Sequence, residues 1–448
     1  MTLSKKFRKL TREEFRSALA KGQGRALMHV RQYGLEDVKD LVLEACLLNQ
    51  VWDQQIESGR GDWLFQMFGD SVYYEEFSTA ILKALHTETD YRSLNQLCYL
   101  VYLLAVKDKK VAYPSLKEFV YHSIQSASNN SDRALGVEEL LALEGPDGIV
   151  GIAELFGQYL IDDSEFFAFD DIVYFENFSI FISKLEENSH RSKAIERFTE
   201  YVKLRYQERS TKKVDDQNTR KNRQRENFRS LYSLKSILQD AENGVDVFRY
   251  VQFGKYATED EIKIIHKKIL ETTDDRTRAY LLRIFRNTKL PSIEPIFFDW
   301  VHSDNSDLRS AMVRALSRIT TDQIHKFAIE EIKSRESNRM KDYEAISLFE
   351  NNYQQGDEKE IKMFLDSFDP GREETHEAGF ALLELARINE IPELFDLVNW
   401  VYENTPCGCC RAKAVEWLVK MDMLPVSIKH ECQFDANEAV RYNVGNPN

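Results

Sequence analysis

The sequence contains little that interrupts a helix. Of 448 residues only 18 are Gly and 9 are Pro, whereas Leu, Glu, Lys, Arg and Ala are frequent. The frequent residues favour helices, and Gly and Pro disfavour them most. Hydrophobic residues make up 43% of the chain and charged residues 30%, which excludes a disordered composition. The composition therefore predicts a folded, largely helical protein.

Long apolar runs are absent as well. No stretch of 18 apolar residues occurs, so we expect no transmembrane helix. The first residues lack the apolar core of a signal peptide. Six Cys fit a reducing compartment and argue against a disulfide framework. Together these absences predict a cytoplasmic protein without a membrane partner.

Charge is unevenly distributed along the chain. The formal net charge is −14, yet residues 1–31 carry nine Lys or Arg against two Glu, which leaves −21 for the rest. An acidic body repels nucleic acid at long range, while the basic segments are candidate contact sites; the alternative is a solvated helix face. The candidate interaction residues are Lys5, Lys6, Arg8, Lys9, Arg12, Arg220, Lys221, Arg223 and Arg225.

The C-terminal half repeats one apolar pattern. Five octets begin 31, 33, 34 and 35 residues apart, and each has apolar residues at the spacing of one helix face. A second amphipathic segment follows each octet up to the fourth. A single helix pair cannot bury its apolar face, so we expect stacked pairs with a shared core. The octets are RAYLLRIF from Arg278, RSAMVRAL from Arg309, DYEAISLF from Asp342, HEAGFALL from His376 and RAKAVEWL from Arg411.

The sequence around these octets resembles HEAT repeats. The family pattern is Asp-x-x-x-[apolar]-Arg-x-x-[apolar]. Two stretches resemble it, DNSDLRSAMVRAL from Asp304 and DANEAVRYNV from Asp435. The resemblance implies an all-α solenoid of stacked antiparallel helix pairs with about 22–25 helices, and it implies that Asp304 contacts Arg309 and Asp435 contacts Arg441. It implies no single activity.

Three regions are expected along the chain. Residues 1–208 form an N-terminal helical segment with degenerate repeats, residues 209–225 form a basic polar linker or loop, and residues 226–448 form the HEAT-like segment. Within the first region we expect helices near 11–21, 36–48 and 50–67, with a helix–helix turn at Lys21–Ala26. We expect the dense aromatic residues between Phe166 and Phe181 to form core, with a partner groove as the alternative. The pattern leaves open whether the two halves form one superhelix.

One Cys/His cluster near the C-terminus is a candidate zinc site, because thiolates and an imidazole are suitable ligands. As a whole it does not have the spacing of the usual Cys-x₂-Cys knuckles. No His base is local to the thiols, and small residues here also suit the start of a helix. We therefore predict ordinary packing and no metal or other cofactor. The candidate ligands are Cys407, Cys409, Cys410, His430 and Cys432.

Two enzymatic alternatives follow from the resemblance. The doublets His376-Glu377 and His430-Glu431 are similar to the iron-binding doublets of the HEAT-repeat enzyme deoxyhypusine hydroxylase, which needs four of them. HEAT-like DNA glycosylases line their concave surface with Lys or Arg, Trp and a catalytic Asp. The candidates here would be the basic arm, the Arg residues of the octets, Trp52, Trp63 and Trp300. No catalytic motif is present for either chemistry.

The sequence therefore predicts a non-enzymatic scaffold or adaptor that binds a protein partner through a HEAT-like surface. A nucleic-acid-binding HEAT-like protein is the alternative, with the basic arm and linker as its contacts, and a metal-dependent HEAT-repeat enzyme ranks below it. The sequence names neither the partner nor the oligomeric state.

Overall fold

Within the described residues the computed structural model is entirely helical and contains no strand. It has 24 α-helices of five residues or more across those residues, which lies within the expected range. The all-α class is therefore confirmed. The structure describes residues 8–53, 57, 59–127, 130–163, 166, 168–211, 228–229, 231–245, 248–334, 343–367 and 371–445.

The chain divides into two compact units. The first comprises residues 1–215 together with the short segment 434–438, and the second comprises residues 216–433 and 439–448. The helices of the first unit are α1 (Arg12–Lys21), α2 (Gly24–Tyr33), α3 (Lys39–Leu47), α4 (Gly61–Phe68), α5 (Tyr74–Leu85), α6 (Tyr91–Lys107), α7 (Lys109–Ser126), α8 (Asn130–Arg133), α9 (Val137–Glu144), α10 (Ile149–Asp162), α11 (Phe178–Asn188) and α12 (Lys193–Thr211).

The second unit contains the repeated octets. Short 3₁₀ helices occur in both units, at Gly145–Gly148, Asp171–Tyr174, Ser189–Arg191, Arg283–Arg286 and Pro392–Leu394. The α-helices of the second unit are α13 (Leu234–Glu242), α14 (Arg249–Tyr256), α15 (Glu259–Glu271), α16 (Asp275–Leu282), α17 (Ile296–Trp300), α18 (Ser306–Leu316), α19 (Asp322–Lys333), α20 (Glu344–Ser347), α21 (Asp357–Asp366), α22 (Arg372–Asn389), α23 (Phe395–Asn404), α24 (Gly408–Lys420), α25 (Val426–Cys432) and α26 (Glu438–Asn443).

Side-chain caps define where several helices begin. Thr11 and Glu14 form a capping box at α1, and Thr258 and Glu261 form another at α15. Asn305 caps α18 by accepting from two backbone N–H groups. Such caps satisfy N–H groups that have no partner within the helix. These starts are therefore readable from local sequence.

Two expectations about the first unit were wrong in detail. Residues 50–67 were expected to form one helix, but residues 49–53 are not helical and α4 begins at Gly61. Helix α2 was not expected at all. The expected turn before α2 is present, because Gly22 ends α1 with a φ of 76°. Only Gln23 lies between Gly22 and the first residue of α2. The turn is shorter than the sequence suggested.

The octet helices of the second unit pack on one another in chain order. Helix α16 contacts α18, α18 contacts α20, α20 contacts α22, and α22 contacts α24. The intervening helices α19, α21 and α23 also pack in succession. We call the fourth, fifth, seventh and eighth residues of each octet the octet columns. All of these residues are buried except Phe380, which is half-buried. The octets thus supply the core that their periodicity predicted.

Polar side chains connect successive octets. Arg309 on α18 donates to Glu344 on α20 at 3.0 Å, and His325 on α19 lies 3.0 Å from Asp357 on α21. The Trp417 indole donates to the Ala386 carbonyl at 3.1 Å. The expected contact between Asp304 and Arg309 is absent among the described residues. Arg309 instead pairs with the buried carboxylate of Glu344 in the next octet.

Candidate functional site

The basic N-terminal arm is engaged in ion pairs within its own unit. Arg8 pairs with Glu14 at 2.7 Å and Lys9 pairs with Asp37 at 2.6 Å. Arg12 pairs with Asp40. Hydrogen bonding to Arg8 lowers the pKa of Glu14 to about 2.

All three pairs are exposed, so each contributes little stability. They nevertheless reduce the net positive charge that this arm presents. The other predicted interaction residues lie outside the described ranges; these are Lys5, Lys6, Arg220, Lys221, Arg223 and Arg225.

The first unit contains a cavity of 450 Å³ between α6, α9 and the start of α11. This volume is typical of ligand pockets. Aromatic rings form much of its wall, and two adjacent carboxylates from the first turn of α9 complete it. Phe175 and Phe181, which were expected to belong to an aromatic core, pack edge to face at 5.6 Å beside it. The lining side chains that matter here are Tyr99, Tyr102, Phe175, Phe181, Glu138 and Glu139.

The two carboxylates in this cavity have no basic partner among the described residues. Burial raises the pKa of Glu139 to about 7 and raises the pKa of Glu138 above its ordinary value. Burial also raises the pKa of nearby Asp171. Burial disfavours the charged form when no cation compensates it. The wall therefore carries carboxyl groups whose ionisation is disfavoured until a cation binds beside them.

A second cavity of 360 Å³ shares Tyr99 and Glu139 with the first. The Tyr99 hydroxyl donates to Asp62 at 2.6 Å. Arg60 also lines this space, but its guanidinium donates to the Ala20 and Lys21 carbonyls at the C-terminal end of α1. Because the two cavities share these two lining residues, we refer to them together as the acidic groove.

Sequence reasoning missed the acidic groove. Tyr99 and Tyr102 lie off the apolar stripe of α6, and Glu138 and Glu139 are ordinary acidic residues for a first helical turn. No local pattern distinguishes them from solvated residues. The available signal was weak: two Tyr on the polar side of a long helix.

The second unit brings two of the predicted thiols together with an unexpected imidazole. Cys407 is the N-cap residue of α24, and Cys410 follows one turn later. His376 lies on α22, which packs against α24. One donor atom from each of the three residues lies within 4.8 Å of the others. We call this the thiol–imidazole cluster.

The cluster corrects the expectation that no His base is near these thiols. A hydrogen bond from the Cys410 thiol lowers the pKa of Cys407, and contact with His376 lowers it further. The same hydrogen bond raises the pKa of Cys410. Hydrogen bonding to Cys407 and Glu377 raises the pKa of His376 to about 9. The geometry therefore favours a thiolate at Cys407 beside an imidazolium.

The remaining candidate ligands lie elsewhere. Cys409 is half-buried on α24, and His430 is exposed on α25. Cys432 is buried, with its Sγ 3.7 Å from the Tyr402 hydroxyl. In the described ranges, neither these residues nor the second His-Glu doublet joins a cluster with metal-ligand geometry.

The Trp residues proposed for a glycosylase-like surface have structural contacts. Trp63 is buried and donates to the Phe434 carbonyl at 2.8 Å. Trp300 packs on Phe297 and lies under Arg278, whose guanidinium carbon is 4.3 Å from the ring centroid. Both contacts occupy the rings within their own units.

No protein-family model matches the chain, and no curated protein matches it. One solved structure is similar: a crystal structure of an engineered protein from a structural genomics consortium, at 13% identity, covering 97% of this chain and 98% of that chain. Its TM-score is 0.23, which is too low to support a statement about the fold. Among the described helices, none combines the length and apolarity that crossing a bilayer requires.

Proposed function

We propose that this protein is a HEAT-like scaffold that binds a basic segment of a partner protein in the acidic groove. The observation that carries the proposal is the pair of carboxylates Glu138 and Glu139 in an aromatic-walled cavity without a basic partner among the described residues. Strongly perturbed ionisable groups in a cleft are typical of functional sites.

The HEAT-like architecture is supported by contacts at regular sequence separation. Arg309 and Glu344 are 35 residues apart, and Trp417 and Ala386 are 31 apart. In the first unit Tyr99 and Asp62 are 37 apart. A stack of helix pairs produces such contacts once per repeat. These contact intervals of 31 to 37 residues are close to the 31 to 35 residues between octets, which supports the proposed repeat.

The chemistry of the acidic groove favours a cationic side chain. A guanidinium or ammonium group would pair with Glu138 and Glu139, and their ionisation would then be favoured. The faces of Tyr99, Tyr102 and Phe175 attract cations. A guanidinium also stacks on aromatic rings, so Arg suits this groove better than Lys.

Nucleic acid is a less suitable ligand for this groove, because its phosphates would meet carboxylates. Of the alternative contacts, the described part of the basic arm pairs with Glu14, Asp37 and Asp40. Phosphates would have to displace these exposed pairs. A nucleic-acid function therefore has weaker support than a protein partner.

The test uses the full-length chain and fluorescein-labelled peptides in an anisotropy titration. A short Arg-rich peptide should bind, and the same peptide with Gln in place of Arg should not. The double substitution Glu138→Gln/Glu139→Gln should weaken binding about tenfold or more, equivalent to about 1.4 kcal/mol.

The matched control is Glu186→Gln/Glu187→Gln on α11, which removes the same charge from exposed positions of the same unit. Equal loss in both double variants would reduce the effect to net charge and reject the groove. Tighter binding of single-stranded DNA than of the Arg-rich peptide would support the alternative function.

A further inference from the structure

The thiol–imidazole cluster has the donor set of a small metal site. Cys407 and Cys410 are three positions apart at the start of α24, so their side chains share one face of the helix. The two are separated by two residues, which is a common spacing for zinc-binding thiols. Packing of α22 on α24 adds His376 from the preceding octet. Two helices with consecutive repeats thus supply three ligands.

The distances suit a single ion. Zinc–sulfur bonds are about 2.3 Å and zinc–nitrogen bonds about 2.0 Å, so two donors at the tetrahedral angle on one ion are about 3.5 to 3.8 Å apart. The three donor atoms lie within 4.8 Å of one another. A shift of at most about 1 Å therefore brings all three onto one ion. Rotation about the side-chain bonds is sufficient for such a shift.

The surroundings support coordination rather than ordinary packing. Cys407 and Cys410 are 1% and 4% exposed, whereas the His376 side chain is 23% exposed. The Glu377 carboxylate lies 3.8 Å from His376 Nδ1, and Arg314 lies 4.0 Å from the same carboxylate. A metal-bound His commonly donates its other ring N–H to a carboxylate, and rotation of the Glu377 side chain would bring its carboxylate within that distance.

We propose that Cys407, Cys410 and His376 bind one Zn²⁺ ion, with a fourth position open toward the exposed side of His376. Soft thiolates with one imidazole select Zn²⁺ over Mg²⁺ or Ca²⁺. Three protein ligands with an open position are typical of sites that exchange a ligand. The site is independent of the acidic groove, since every ligand belongs to the second unit.

The test begins with the reduced, chelator-treated full-length chain. Co²⁺ is the spectroscopic probe, and Zn²⁺ is measured by competition with a chromophoric chelator. We expect one ion per chain, a thiolate-to-Co²⁺ charge-transfer band and its loss when Zn²⁺ is added. Cys410→Ser and His376→Asn should each weaken Zn²⁺ binding by at least about tenfold.

Two controls separate this cluster from the ligands expected from sequence alone. Cys409→Ser and His430→Asn should leave the band and the affinity unchanged. Alkylation gives a readout that needs no variant: Zn²⁺ should slow the labelling of Cys407 and Cys410 by iodoacetamide, without slowing that of Cys409.

Three results would overturn the proposal. One is the absence of a charge-transfer band in the wild-type chain. Another is a band that survives Cys410→Ser and His376→Asn but is lost in either control. The third is a Cys407–Cys410 disulfide that persists in reductant, because a disulfide has no thiolate to offer the ion.

Discussion

The octet contacts of the second unit and the acidic groove of the first unit differ in how their carboxylates are partnered. In the second unit, Glu344 accepts from Arg309 and Asp357 lies against His325, so each carboxylate meets a partner from the neighbouring octet. In the first unit, the exposed Glu138 and the half-buried Glu139 line a cavity and have no basic partner among the described residues. Removing one partner from a buried pair is destabilising, whereas a carboxylate that lacks a cation at a cavity is costly to ionise. Burial raises the pKa of Glu350 in the second unit to about 7 as well, so the cavity beside Glu139, and not the pKa alone, points to a ligand.

The hydrophobic cores of the two units differ in how regularly their residues are spaced. The second unit repeats one octet and buries it in register, so its helices meet through equivalent columns. The first unit uses bulky aromatic residues at irregular positions, such as the stacked pair Phe68 and Phe77 at 4.6 Å. Irregular packing leaves the space that the acidic groove occupies. Regular repeats provide stability, and departures from regularity provide concave sites.

The largest loss of stability is expected when a charged side chain replaces a buried residue of an octet. Leu316→Asp should destabilise the second unit by about 3 kcal/mol or more, because Leu316 is fully buried and an unpaired charge would replace it. Thermal melting followed by circular dichroism measures the effect. Met363→Asp, at a residue 66% exposed in the same unit, is the control and should melt close to wild type. Unchanged melting of Leu316→Asp would remove this column from the core.

The next test removes one paired carboxylate. Glu344→Gln should cost about 2 kcal/mol, because Arg309 would lose its charged acceptor and the single amide oxygen of Gln cannot accept from both Arg309 and Ser310. Urea denaturation gives the free energy of unfolding. Ser310→Ala should cost less, since it leaves the ion pair intact. If Glu344→Gln were neutral, the ties between octets would contribute no stability.

A Glu-to-Gln substitution in the acidic groove should raise the free energy of unfolding instead of lowering it. The pKa of Glu139 is raised from 4.5 to about 7, so ionising it in the folded state becomes a cost as the pH rises from about 4.5 to about 7. Glu139→Gln removes that cost and should stabilise the chain by about 1 to 2 kcal/mol at about pH 8, with little effect at about pH 4.

Melting of both chains at the two pH values tests this sign. A gain that is equal at both would exclude ionisation of Glu139 as its cause. A loss at about pH 8 would mean that the carboxylate has a stabilising partner in the folded chain.

The smallest effect is expected on the surface of the first unit. Arg12→Ala breaks exposed contacts to Asp37 and Asp40 and should leave the melting temperature close to that of wild type. The Arg-rich peptide should bind this variant as it binds wild type. A large loss of peptide affinity would place the basic arm, rather than the acidic groove, at the binding surface.

The sequence by itself determined the helices and their apolar columns. Local residues set these features: caps such as Thr11 and Asn305 satisfy the first backbone N–H groups, and residues three and four apart share a face whatever lies opposite. That is why the octets could be aligned before any coordinate was known, and why almost every column residue is buried.

Only the tertiary structure decided which polar groups meet. His376 reaches Cys407 across 31 positions of chain, Tyr99 reaches Asp62 across 37, and Arg309 takes Glu344 rather than Asp304 as its partner. Such pairs depend on how one helix is rotated and shifted against the next, and helical periodicity carries no information about that rotation. Both candidate sites arise from contacts of this kind, which is why the residues were visible in the sequence and the sites were not.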